Sequence, residues 1–190
     1  MRRLIVSAAL AALIAAPLAT AAGPTGQVVQ ADSVTAVQVR MGPRVVTVRL
    51  LGLRGMHVAP RCRSVVTSAL ADVIAPGRAV RLVRDPAEPS RDAAGRALAY
   101  VVPVGSGATS VNEALVAAGA ARADPSGAGG RLARARPLMA AQERAERAGT
   151  GLWAPGCGLR PSGAPTPVLG TGHFTPGQPG LRRPMPTSPG

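Results

Sequence analysis

The side chains of this sequence that are best suited to chemistry are its arginines. All 22 basic side chains are Arg and none is Lys, nine side chains are acidic, and the formal net charge is +13. A planar guanidinium donates two parallel hydrogen bonds to neighbouring phosphate oxygens, so this charge favours polyanionic partners such as nucleic acid or an anionic cell surface. A GC-rich genome would also produce Arg in place of Lys, so composition alone does not identify the partner.

Arg49 is the arginine whose position most needs an explanation. It lies between Val48 and Leu50 in a run of apolar, β-prone residues. A charged side chain that faces the core of a sheet needs a partner. A structural ion pair would satisfy that need, but we favour the binding of a phosphate.

The N-terminus predicts an exported protein. In residues 1–21 Met1 is followed by two arginines, by the apolar stretch Leu4 to Leu18 and by small residues. This is the order of a secretory signal peptide, which we expect to be cleaved after Ala21. A membrane anchor is the alternative, but the apolar stretch is shorter than the roughly 20 residues that a span needs, and it contains Pro17. We expect a secreted or periplasmic protein with no membrane span in its mature chain.

The two cysteines, Cys62 and Cys157, are expected to be bonded to each other. Two thiols in an oxidising compartment usually form a disulfide. A metal or redox pair is the alternative, which the lack of a CxxC spacing and of a nearby His cluster disfavours.

Apolar periodicity predicts a β-rich segment followed by an amphipathic helix. Apolar residues flank a turn at Met41-Gly42-Pro43 within residues 27–53, which predicts a long hairpin. From Arg63 to Ala75 apolar side chains recur at helical spacing, and Pro76-Gly77 ends the helix. This helix should bury one apolar stripe, made of Val65, Val66, Ala69, Leu70, Val73 and Ile74.

The rest of the chain predicts two more strands and two more helices. The strands are expected over Ala79–Arg84 and Ala97–Val104. Ser110 and Glu113 fit a capping box at the start of the second helix, and the last helix is expected to begin around Pro137 and to stop at Gly149. This order of elements suits a small β-barrel that carries helices.

Composition divides the chain into three parts. The signal peptide over residues 1–21 precedes one domain, which is expected to span residues 22–158. Residues 159–190 are rich in Pro and Gly and lack apolar periodicity, so they predict a disordered tail.

Four motifs within residues 27–157 carry a resemblance to a known family. They are Thr47-Val48-Arg49-Leu50-Leu51, Asp92-Ala93-Ala94-Gly95-Arg96-Ala97-Leu98-Ala99-Tyr100, Val111-Asn112-Glu113-Ala114-Leu115-Val116 and Gly151-Leu152-Trp153. In content, order and spacing they resemble staphylococcal-nuclease-like (thermonuclease-like) domains. The resemblance implies a five-stranded OB-type β-barrel with about three helices, in the α+β class, and it supports a bridge between Cys62 and Cys157.

The resemblance also implies a site for phosphodiester hydrolysis. Active members of the family cleave DNA and RNA with a calcium ion held by carboxylates, a Glu that activates water and two Arg that stabilise the phosphate charge. Arg49 matches the first arginine, Arg96 matches the second, and Asp32 matches one remaining calcium ligand. Alternatively, Asp32 caps a turn or pairs with Arg49 or Arg54, and Arg96 is a solvated loop charge.

This sequence departs from the family where active members carry Asp-Thr-Pro-Glu. It reads Arg54-Gly55-Met56-His57, so that a metal carboxylate and the general base are both replaced. A guanidinium at position 54 would repel a divalent cation, and His57 is only a weak candidate base without a metal. Ala94 stands where the family tends to carry a Tyr, so a platform for base stacking is missing.

These observations lead to three functional hypotheses. The one we favour is a pseudoenzyme, inactive or weak as a nuclease, which binds nucleic-acid phosphates through Arg49 and Arg96 without a cofactor. The second is an active nuclease with an altered centre that uses Asp32, His57 and calcium. The third is an interaction module of the cell envelope. We expect the protein to be a monomer.

Overall fold

The computed structural model describes residues 23–105, 107 and 109–157. The predicted signal peptide and tail, residues 1–21 and 159–190, lie outside these residues. The described helices are α1 (Arg63–Val73), α2 (Val111–Ala117) and α3 (Ala135–Ala148), with short 3-10 turns at Pro60–Cys62, Gly127–Gly130 and Gly151–Trp153. The described strands are β1 (Thr25–Ser33), β2 (Ala36–Met41), β3 (Arg44–Leu50), β4 (Leu53–Arg54), β5 (Ala79–Val83), β6 (Ala97–Pro103) and β7 (Arg122–Ala123).

Five of these strands close into a barrel. The strand order is β1-β2-β3-β6-β5, with β5 pairing back to β1. The β3–β6 pair is parallel and the other four pairs are antiparallel. Alternate residues of the strands fill the interior, including the fully buried Val37, Val39, Val48, Val80 and Val101. The expected five-stranded barrel with three α-helices is therefore confirmed.

The N-terminal segment contains one more turn than expected. The predicted hairpin turn is present between β2 and β3, where Gly42 has a positive φ of 59°. The first arm of that hairpin is itself two antiparallel strands, β1 and β2, because the chain reverses at Val34 and Thr35. This turn is held by the Ser33 hydroxyl, which accepts a hydrogen bond from the Thr35 amide at 3.2 Å.

The first helix is less buried than its sequence predicts. Of the expected apolar stripe only Ala69 and Ile74 are buried, and the valines at 65, 66 and 73 stay partly exposed. The main neighbours of α1 are α2 and the 3-10 turn at Gly151–Trp153 rather than the barrel wall. A helix that packs on two short elements covers only part of an apolar face, which explains the difference.

The other two helices begin and end close to the expected positions. The Ser110 hydroxyl accepts from the Glu113 amide at 3.2 Å, so the N-cap of α2 is confirmed. The Glu113 carboxylate forms an ion pair with Arg134 at 3.1 Å and thereby connects α2 to the start of α3. The last helix begins at Ala135, two residues before the expected Pro137, and Gly149 ends it in the left-handed conformation that glycine favours.

Asn112 connects the second helix to the barrel. Its side chain is fully buried, its Oδ1 accepts from the Val101 amide at 3.0 Å, and its Nδ2 donates to the Leu51 carbonyl at 2.8 Å. Both partners are backbone groups at strand positions of the barrel or just after them. Asn112 therefore fastens α2 to the barrel through backbone groups.

The disulfide fastens the end of the described chain to the start of α1. Cys62 and Cys157 are bonded, with an S–S distance of 2.01 Å and a sequence separation of 95. The predicted pairing is therefore correct. No helix in residues 23–157, as far as they are described, has the length and apolar character needed to cross a membrane.

Candidate phosphate-binding cleft

A cleft of about 310 Å³ opens beside the end of β3. Its polar lining comes from that strand, from the loop before β6 and from the loop after β7. Leucines form much of the remaining wall. The polar side chains that line it are Arg49, Glu88, Asp92, Asp124 and Ser126.

Arg49 is the cation that the barrel itself places in this cleft. Its β-register neighbours are Ala36 on β2 and Leu98 on β6, both buried, and its own side chain is half-buried. No described residue forms a hydrogen bond or an ion pair with its guanidinium. The structural ion pair considered from the sequence is therefore not present among the described residues, and the cleft contains a guanidinium with its donors free.

Arg96 differs from Arg49 in two respects, because it lies outside the lining of this cleft and a carboxylate already holds it. Asp92 Oδ2 accepts from Arg96 Nε at 2.7 Å, and Asp92 Oδ1 accepts from the amides of Ala94 and Arg96. Burial opposes ionisation of Asp92, but these hydrogen bonds and the Arg96 charge outweigh it, so the pKa of Asp92 is lowered. The Arg96 side chain remains 39% exposed. Asp92 thus lines the cleft of Arg49 while it orients Arg96.

Arg54 forms an ion pair with Asp124, which lines the cleft. Its Nε donates to Asp124 Oδ2 at 3.0 Å, and the Arg54 side chain is 66% exposed against 25% for Asp124. Asp124 also accepts hydrogen bonds from the Ser126 hydroxyl and amide. The Ser126 hydroxyl and the Arg54 guanidinium lower the pKa of Asp124 despite its partial burial.

A small second sheet sets the position of Arg54. Strands β4 and β7 pair antiparallel, so that Leu53 lies opposite Ala123 and Arg54 lies opposite Arg122. Directly opposed residues of an antiparallel pair project from the same face. The guanidinium of Arg122 lies over the ring of Trp153, 5.7 Å from its centroid. This sheet therefore carries two arginines at directly opposed positions.

The loop that supplies Asp92 and Glu88 is fastened by a buried carboxylate. Asp85 is 2% exposed and accepts from the Tyr100 hydroxyl at 2.7 Å and from the amides of Ala87 and Ala133. Burial disfavours the charge of Asp85, but the three hydrogen bonds outweigh it and lower its pKa. Tyr100 and Trp153 are packing residues, since only 1% and 5% of their surfaces are exposed.

Asp32 and His57 lie outside the lining of this cleft. Asp32 is exposed at an irregularity of the β1–β2 pairing and accepts hydrogen bonds from Gln30 at 3.1 Å and Gln38 at 2.9 Å. His57 is exposed in the segment after β4, and no described residue hydrogen bonds to its imidazole. The ion pairs of Asp32 with Arg49 or Arg54 that we considered are absent among the described residues.

The described residues do not fit the calcium ion that the resemblance implies. Calcium takes six to eight oxygen ligands, which carboxylates, carbonyl groups and water supply. No group of three or more His, Cys, Asp or Glu side chains in residues 23–157, as far as described, is arranged to hold a metal. In the cleft, Asp92 and Asp124 are each occupied by an arginine. We therefore derive no catalytic step through a metal.

Sequence reasoning did not identify the carboxylates of this cleft. Asp92 could have been found from its place four residues before Arg96 across a glycine turn. Asp124 begins a short glycine-rich stretch of sequence that carries no recognisable motif. Its pairing with Arg54 spans 70 positions of sequence, and no local pattern reveals such a contact.

Comparison with known proteins gives one family. Residues 68–155 match the family model described as staphylococcal nuclease homologue. The matched segment includes Arg96 and Asp124 but begins after Arg49. No curated protein matches the chain.

Proposed function

We propose that the chain carries a staphylococcal-nuclease-like domain, which binds the phosphates of nucleic acid through Arg49 and Arg96 and is inactive or weak as a nuclease, since residues 68–155 match the model of that family. The family supports a nuclease-like or nucleic-acid-binding role. The observation that carries the proposal is the half-buried Arg49 guanidinium, which lines the cleft without a hydrogen-bond partner among the described residues. A cation in that position is best stabilised by an anion that enters from solvent.

Arg96 supplies a second, pre-oriented contact. Its Nε and Nη2 both lie 2.7 Å from Asp92 Oδ2, while the side chain as a whole is 39% exposed. A guanidinium has five donors, so a carboxylate on one edge leaves donors for a phosphate on another. The ion pair reduces the net charge that Arg96 offers, and Arg49 is therefore the stronger of the two contacts.

The proposed loss of cleavage follows from the chemistry of the remaining groups. Hydrolysis of a phosphodiester needs a nucleophilic water and charge stabilisation at the phosphorus. Arg49 and Arg96 provide the second but not the first. Neither Asp32 nor His57 lines the cleft, so no observation favours an altered centre built from them.

The location of the protein is part of the proposal. The disulfide and the lack of a membrane-spanning helix among the described residues are compatible with a secreted protein. We propose export to the periplasm or the medium with removal of residues 1–21, and a monomeric mature form. N-terminal sequencing of the protein recovered from culture medium and periplasm tests the cleavage, since a first residue of Met1 would contradict it.

The decisive experiment measures binding and cleavage in the same samples. Fluorescence anisotropy of the full chain with a labelled single-stranded oligonucleotide should show an affinity that falls steeply with salt, because phosphate contacts release counterions. Arg49→Gln should weaken binding about tenfold or more, since it removes a charge-assisted contact worth about 1.5–3 kcal/mol. Arg144→Gln, an exposed position on α3, is the matched control for net charge.

The possible outcomes separate the three hypotheses. Salt-sensitive binding without loss of substrate, with calcium or with chelator, supports the proposal. Turnover that Arg49→Gln abolishes would establish an active nuclease instead. Absence of binding would leave an interaction module of the envelope, which deletion of residues 159–190 would then test through loss of localisation.

A further inference from the structure

We propose that the two-stranded sheet of β4 and β7 continues the phosphate path, with Arg54 and Arg122 contacting a second phosphate of the same strand. The ligand class is a single-stranded phosphodiester chain with at least two phosphates. The inference rests on the proposed function, because it extends the cleft of Arg49. We call the pair Arg54 and Arg122 the arginine pair.

The register of the sheet places the arginine pair at opposed positions, where the like charges destabilise the pairing of β4 with β7 unless an anion is present. Arg54 and Arg122 are directly opposite in an antiparallel pair and project from one face. Like charges in that arrangement repel each other and destabilise the pairing. Two cations placed together on a sheet of two residues per strand therefore require a compensating group.

The protein compensates only one of the two charges. Arg54 donates to Asp124 at 3.0 Å. Arg122 lies over the Trp153 ring, which attracts a cation but carries no charge, and no described carboxylate pairs with it. The sheet thus retains one uncompensated positive charge, and Trp153 holds Arg122 in a fixed orientation.

The arginine pair is continuous with the cleft. Asp124 both pairs with Arg54 and lines the cleft of Arg49, and its amide donates to the Gly52 carbonyl at 2.7 Å, which extends the pairing of the sheet. A strand whose one phosphate meets Arg49 therefore passes the arginine pair with its next phosphates. Arg54, 66% exposed, is free to exchange its carboxylate partner for a phosphate oxygen.

Two probes distinguish a contact at the arginine pair from the contact at Arg49. The probes are a nucleoside monophosphate, which has one phosphate, and a short single-stranded oligothymidylate. Arg54→Gln and Arg122→Gln should each weaken oligonucleotide binding about three- to tenfold and reduce the slope of log affinity against log salt by about one. Both should leave affinity for the monophosphate within about twofold. Arg49→Gln should weaken binding of both probes.

Two further variants control for folding and for net charge. Arg122→Lys keeps the charge but not the planar fork, so it should restore part of the oligonucleotide affinity that Arg122→Gln loses. Arg144→Gln, exposed on α3, should change neither probe's affinity by more than about twofold. An Arg122→Gln variant that loses affinity for the monophosphate as strongly as for the oligonucleotide would show a structural role for the side chain and overturn the inference.

The remaining outcomes separate this inference from the proposed function. If the double variant of the arginine pair binds the oligonucleotide like the unaltered protein, while Arg49→Gln does not bind it, the arginine pair is not a contact and the function of the cleft stands. If Arg49→Gln binds both probes like the unaltered protein, the proposed function fails and this inference fails with it.

Discussion

A partly buried charge is stable only when a partner replaces the water it has lost, and the residues around the cleft differ in the partner that they have. Arg96 is held by Asp92 and Arg54 by Asp124, whereas Arg49 has no partner among the described residues. In the proposed function the carboxylates would therefore have two effects. They orient two arginines, and they would also repel the phosphate that we propose those arginines bind.

Removal of the carboxylate at position 124 should strengthen binding. Asp124→Asn keeps an oxygen that accepts from Ser126, removes one negative charge from the cleft and releases Arg54. We expect affinity for a single-stranded oligonucleotide to rise about three- to tenfold, consistent with the large contributions that close charges make at interfaces. Anisotropy at constant salt measures the change.

The control for that prediction is a distant carboxylate. Glu143→Gln on α3 alters the net charge equally, and the Glu143 side chain is 62% exposed and remote from the cleft lining. It should change affinity by less than about twofold. An Asp124→Asn variant that binds no better than Glu143→Gln would show that Asp124 serves only to position Arg54.

The sequence predicts the elements that have a clear apolar periodicity or capping residues, and it does not predict isolated turns or very short strands. The strands β3, β5 and β6 and the helices α2 and α3 follow apolar periodicity and capping residues. The turn between β1 and β2 was missed because Val34 and Thr35 are not turn residues, and the Ser33 hydroxyl that stabilises them gives no periodic signal. Strands of two residues, such as β4 and β7, are too short to show alternation.

In the candidate site, too, the sequence identifies some residues and not others. Arg49 could be identified from its place in an apolar strand and Arg96 from its motif. Asp124 and Arg122 could not, because their functional neighbours are brought to them by the β4–β7 pairing across about 70 positions of sequence. Contacts of this kind depend on the closed fold and not on any local preference.

Asn112 offers a test of how the helices support the barrel. Asn112→Ala removes two buried hydrogen bonds and leaves the Val101 amide and the Leu51 carbonyl without that partner. We expect the free energy of unfolding to fall by about 2–4 kcal/mol, because each buried unpaired group costs about 1–3 kcal/mol. Urea unfolding followed by circular dichroism measures it. Ser110→Ala, which removes only the N-cap of the same helix, should cost about 1 kcal/mol.

Across the whole molecule, stability and ligand binding depend on different groups. The barrel core and the Cys62–Cys157 bridge hold the domain together, whereas the arginines of the cleft lie on its surface and repel one another. An excess of positive charge stabilises binding to a polyanion but opposes compactness. The bridge, which closes a loop of 95 positions, lowers the entropy of the unfolded chain and offsets part of that repulsion.

Removal of the bridge should therefore reduce stability without removing binding. In the variant Cys62→Ser/Cys157→Ser the free energy of unfolding should fall by about 2–5 kcal/mol, as expected for a native disulfide that closes a long loop. Neither cysteine lines the cleft, so the oligonucleotide affinity of the folded fraction should stay within about twofold. Urea unfolding and anisotropy on the same preparation measure the two quantities. A loss of affinity in fully folded protein would mean that the bridge positions the cleft, and an unchanged unfolding midpoint would mean that the barrel alone fixes the fold.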